Sequence, residues 1–109
     1  MQKNSKEYNI GSFGSAFAIY DASNTQYRYI IDTSGNHIFN EGSQDCDFRV
    51  ESNGNQDMFI VDGGDNRVGI ANAPDLGVGL HIKTGDSGAS VAADCDELVI
   101  EGSANAGIS

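Results

Sequence analysis

The sequence predicts an all-β chain built from repeats of short strands and tight turns. Three observations carry that reading. One strand-and-turn pattern occurs three times, apolar and polar residues alternate at spacing two, and Gly or Asn interrupts every window long enough for a helix.

The repeat is clearest at its apolar strand. Tyr29-Ile30-Ile31-Asp32 is followed, after three small or polar residues, by Asn36. Phe59-Ile60-Val61-Asp62 leads in the same way to Asn66, and Leu98-Val99-Ile100-Glu101 to Asn105. A large apolar residue and two β-branched ones favour a strand. The acid, the small residues and the Asn that follow favour a tight turn. Asn36, Asn66 and Asn105 are expected to take the left-handed backbone conformation, which Asn accepts more easily than most residues. Ile38 and Val68 then resume the apolar pattern two residues after the first two asparagines, while Gly107 holds that place in the third copy.

A second element lies upstream of each apolar strand. Phe17 and Ile19, Phe48 and Val50, and Leu80 and Ile82 are apolar pairs at spacing two. Arg49 and Glu51, and likewise His81 and Lys83, occupy the alternate positions, which marks a half-buried strand with its polar side outward. The copies are offset by 30 residues between Asp32 and Asp62, and by 39 between Asp62 and Glu101. The extra residues fall between Thr84 and Asp96 and read as an insertion into a hairpin. The organisation expected is a polar N-terminal segment over 1–15, then repeats over 16–40, 41–73 and 74–109, with Pro74 at the last join.

Such repeats need company. Isolated hairpins are marginal in water, and a continuous apolar run asks for burial on both faces. Winding identical chains together so that the apolar strands meet satisfies both demands and removes open sheet edges. The expected assembly core is Tyr29, Ile31, Phe48, Val50, Phe59, Ile60, Val61, Val68, Ile70, Leu80, Ile82, Leu98 and Ile100.

Charge and composition narrow the function. Six basic residues against sixteen acidic ones give a net charge of −10. That charge repels phosphate and anionic lipid, so neither nucleic acid nor membrane is expected as a partner. No apolar run approaches the length of a membrane span, and no apolar stretch follows Lys3 and Lys6 as a secretory leader would require. Cys46 and Cys95 each stand in Asp-Cys-Asp, where flanking carboxylates disfavour a thiolate, and both read as small half-buried residues. His37 and His81 lack the partners of a nucleophilic or zinc-dependent motif and read as exposed, so the chain is not expected to be an enzyme. Asp62, Asp65 and Asn66 offer hard oxygens within one turn and are weak calcium candidates, although the spacing fits no calcium loop. No cofactor is expected.

Asp47-Phe48-Arg49-Val50-Glu51-Ser52-Asn53-Gly54-Asn55 and Phe59-Ile60-Val61-Asp62-Gly63-Gly64-Asp65-Asn66-Arg67-Val68-Gly69-Ile70 resemble a repeat of phage tail-fibre shafts. That repeat reads D-F-R-V-E-S-[DN]-[GT]-N, then several residues, then [LM]-F-[IV]-D-[GA]-G-x-x-x-V-G-I-G. Phe39-Asn40-Glu41-Gly42-Ser43 and Gly79-Leu80-His81-Ile82-Lys83-Thr84 are similar to its flanks, and the resemblance runs from Ile38 to Ile108. It departs from the pattern at Ala71, where the family has Gly, and it stops partway through a repeat. The resemblance implies an elongated, intertwined trimeric fibre on a virion, with other virion proteins as neighbours. A capsid decoration protein or an extracellular adhesin built on the same repeats is the alternative.

Overall fold

The structure, a computed structural model, describes residues 6–94 and 96–108. Among them the chain is all-β, with no helix. It divides into two compact units, Met1–Gln44 and Asp45–Ser109.

The first unit is an antiparallel meander. Its strands are β1 (Tyr8–Phe13), β2 (Ala16–Asp21), β3 (Gln26–Ile31) and β4 (His37–Phe39), paired in chain order. β1 lies inside the segment whose composition reads as polar, because Tyr8, Ile10 and Phe13 supply apolar positions at its ends and middle. A register shift between Ile19 and Tyr20 brings Tyr20 opposite Tyr27. The two rings and Phe13 then cluster with centroids 4.9 to 5.9 Å apart, within the range of favourable aromatic packing. On one face Ile10, Ile19, Tyr29 and Phe39 run as a row across all four strands, with Phe17 and Ile31 beside them.

The second unit is a five-stranded sheet. β5 (Phe48–Ser52), β6 (Asn55–Asp62) and β7 (Arg67–Ile70) are antiparallel neighbours. β8 (Leu80–Lys83) and β9 (Leu98–Glu101) then add in parallel, β8 on β7 and β9 on β8. This corrects the reading of residues 84–96 as an insertion into a hairpin. A parallel partner can be reached only by a long crossover, and residues 71–79 and 84–97 are those crossovers.

Register fixes which side chains share a face, because successive residues of a strand point to opposite sides. Phe48, Val61, Val68, Leu80 and Leu98 form one unbroken row across the five strands. Val50, Phe59, Ile70, Ile82 and Ile100 form a second row on the same face. The opposite face carries Arg49, Ile60, Gly69, His81 and Val99 in line, with Lys83 beside Glu101.

Both crossovers lie over that opposite face. A side chain at Gly69 would meet the Asn72 carbonyl at 2.6 Å and the Ile60 and Pro74 side chains at 2.8 Å. Only glycine lets the first crossover lie so close. Ile60, 3% exposed, and Val99 are the buried apolar residues there.

The turns partly follow expectation. Asn66 has φ 57° and is left-handed as its place predicts. Asn36 and Asn105 are not. In the first copy Gly35 takes the positive φ, at 84°, and Asn36 donates from its backbone and side-chain nitrogens to Asp32 at 2.9 and 2.8 Å. A neighbouring glycine removes the need for Asn to leave ordinary backbone space.

Candidate functional site

Two features stand out: an open apolar face and a buried cluster of charged groups on the reverse side of the same sheet.

The apolar face collects ten of the residues that the sequence marks as assembly core: Phe48, Val50, Phe59, Val61, Val68, Ile70, Leu80, Ile82, Leu98 and Ile100. None is buried within the chain. Val50 and Leu98 are half exposed, at 50% and 52%. Tyr29 and Ile31 occupy the comparable face of the first unit, where Ile10 is 69% exposed and Phe17 and Phe39 are also open. Ile60 is placed apart from the others, on the reverse face under the first crossover. Ile10 and Phe39 extend the first unit's apolar row. The alternation of Tyr8 and Ile10 with polar or small neighbours is a signal for the first, while Phe39 follows Ile38 directly and offers no such alternation.

The reverse face holds what sequence reasoning placed in water. His81 is fully buried, and Lys83 and Glu101 are buried beside it, so the third copy buries the polar side of its alternating strand. Alternation is preserved, but the side chosen is the one that the crossovers cover. His81 Nε2 lies 3.1 Å from Glu101 Oε2, and Nδ1 lies 3.5 Å from Asp75 Oδ1. Lys83 Nζ donates to Asp75 Oδ2, and stands 3.9 Å from Glu101 Oε2 and 3.8 Å from Asp86 Oδ2. Glu101 Oε1 accepts from the Ser87 N–H and hydroxyl at 2.7 and 2.8 Å.

These contacts set the charge states. The Lys83 hydrogen bond holds the Asp75 carboxyl below its ordinary range, and the same bond raises the Lys83 ammonium. The two Ser87 donors lower Glu101, with help from the Lys83 charge. Asp75, His81 and Glu101 offer ligand atoms within 4.8 Å of one another. Yet Lys83 already supplies the positive charge to both carboxylates, so this is a salt-bridge cluster with its cation built in.

The calcium candidates do not converge on a ligand. Asp62 Oδ1 accepts from the N–H groups of Gly64 and Asp65 at 2.9 and 2.8 Å, which closes its own turn. Asp65 pairs with Arg67 at 3.3 Å, and Asn66 serves through its backbone conformation. His37 is exposed, and its Nδ1 lies 2.6 Å from the Tyr29 hydroxyl. Cys46 is exposed rather than half-buried, because it belongs to the irregular segment before β5. Cys95 lies outside the described residues.

In the first unit Asp21 is fully buried. It accepts from the Asn24 backbone and side chain at 3.2 and 2.8 Å, and from Arg28 Nη2 at 2.7 Å. The Asn24 and Arg28 bonds lower its carboxyl to about 2.

Compared with known proteins, the chain matches no family model, no curated protein and no solved structure.

Proposed function

We propose that the chain is a structural module of a virion fibre, a segment like a phage tail-fibre shaft that assembles as a homotrimer and has no catalytic role. The observation that carries this reading is the pair of unbroken apolar rows on the second sheet, left open by the chain itself. Contiguous apolar faces mark interaction sites, since water does not tolerate them on an isolated protein.

A repeated chain meets this demand with copies of itself. Identical faces turned to a common rotation axis cover one another, and the symmetry closes so that growth across the axis stops. The resemblance of residues 38–108 to shaft repeats supplies the number three and the virion setting. The net charge of −10 then lies outward, where it keeps fibres apart and disfavours nucleic acid and anionic membrane as partners. Other virion proteins are the expected neighbours along the fibre.

Sedimentation velocity at micromolar concentration tests the proposal. A trimer with a high frictional ratio is expected. A compact, soluble monomer would overturn it.

A further inference from the structure

The groups around His81 accept only one form of its ring. Nδ1 lies 3.4 Å from the backbone nitrogens of both Asp75 and Leu76. Each is an N–H and can only donate, so Nδ1 must present its lone pair. Nε2 lies 3.1 Å from Glu101 Oε2, and there it donates. The neutral ring, with its proton on Nε2, therefore ties the first crossover to β8 and β8 to β9. Through Ser87 on the other oxygen of Glu101, the same chain of bonds reaches the second crossover.

We propose that His81 is a proton-operated latch on residues 71–79, closed when the ring is neutral and released when it is protonated. A second proton on Nδ1 would point at two N–H donors. The acceptor facing it is Asp75 Oδ1 at 3.5 Å, while Lys83 holds the other oxygen of that carboxylate. The imidazolium can bond that oxygen, but the N–H groups of Asp75 and Leu76, which now donate to Nδ1, must then move off the ring.

The charged groups facing the ring are Asp75 from the first crossover, Glu101 from β9 and Lys83 from β8, with Asp86 of the second crossover against Lys83. β7 presents Gly69 and no charge. The carboxylates can receive a new N–H, whereas the two backbone amides cannot, so protonation exchanges one set of bonds for another. Pro74 rides on the same crossover above Gly69 and Ile60. Release would therefore uncover the small apolar core of this unit. The latch stands independently of how copies of the chain associate.

The test is nitrogen NMR of the histidine rings of the whole chain between about pH 8 and pH 5, where histidine ordinarily changes charge. It is read together with amide hydrogen exchange corrected for its intrinsic pH dependence. At the upper end His81 should show the Nε2-protonated form, with exposed His37 as the reference. As His81 titrates, exchange at Asp75 and Leu76 should rise on the order of tenfold, while the β6–β7 hairpin stays unchanged. His81→Gln, which keeps an acceptor and a donor but cannot gain a proton, should abolish the rise. An Nδ1-protonated ring at neutral pH, a ring that does not titrate before unfolding, or titration without faster exchange at Asp75 and Leu76 would each overturn the latch. Should the glutamine variant fail to fold, the ring and amide measurements on the unaltered chain decide the matter alone.

Discussion

The face of the second sheet that bears Ile60, His81, Lys83 and Glu101 is roofed by the chain's own crossovers, while the face that bears Phe59, Val68, Ile82 and Ile100 is left open. The roofed face is the more polar of the two. Its burial is made tolerable because every charge has an opposite charge or an N–H against it, as buried ionic groups require. The two rows of the open face are apolar at all ten positions, so apolar contact is what can cover them. Burial within the chain and the open apolar surface on which association is proposed thus lie on the two sides of one sheet.

The strongest way to break this contrast is to place a charge on each side. Ile60→Asp puts a carboxylate where the side chain is 3% exposed under the first crossover, with only the exposed Arg49 set against it in register. It should cost on the order of 3 kcal/mol, enough to abolish the cooperative melting of this unit. Val68→Asp places the same charge on the open face. It should leave the β-sheet circular dichroism of the chain intact and abolish assembly in sedimentation. Loss of folding in both variants, or of assembly in neither, would remove the distinction between the faces.

The polar side can be tested through its cation. Lys83→Met leaves Asp75 and Glu101 without their ammonium and should lower the melting temperature by several degrees. The first unit offers a parallel case in Asp21, held by Asn24 and Arg28. Its folded pKa of about 2 lies below the ordinary value near 3.8, so its contribution is fully present above about pH 4. That contribution drains away as the pH falls towards 2. Melting curves across this window should show a steeper acid loss in the native chain than in Asp21→Asn.

A turn outside both faces gives a smaller effect. Asn66→Val forces a β-branched residue into left-handed backbone space and should cost about 1–3 kcal/mol, whereas Asn66→Gly should be neutral or slightly stabilising. Smallest is Arg49→Asp. Arg49 is exposed and pairs loosely with Glu51 and Asp57 at 3.5 and 3.4 Å, so the change should cost less than about 1 kcal/mol.

The all-β class, the strand pairs of the repeats and the apolar rows of the second sheet were legible in the sequence, because period-two alternation and turn residues are local signals. β1, by contrast, lay in a segment whose composition reads as polar. Phe48 to Glu51 and Leu80 to Lys83 show the same alternation, yet only the second buries its polar side. The difference lies in what passes overhead. β5 is an edge strand, whereas β8 lies beneath residues 71–79. Strand direction was equally hidden, since apolar pairs do not report whether the next strand runs parallel. The cluster around Glu101 was out of reach for the same reason. Its members are scattered from Asp75 to Glu101 and meet only because the crossovers return to one face.

The central claim is that the open face is the surface on which copies meet, and hydroxyl-radical footprinting of the native protein reads it directly. Val78, in the first crossover on the reverse side, is 60% exposed and serves as the internal reference. Phe59, Leu80 and Leu98 should be protected well beyond their exposure in a single chain, and that protection should vanish in Val68→Asp. Labelling of Leu98 at the rate expected of a half-exposed leucine in the native protein would contradict the claim.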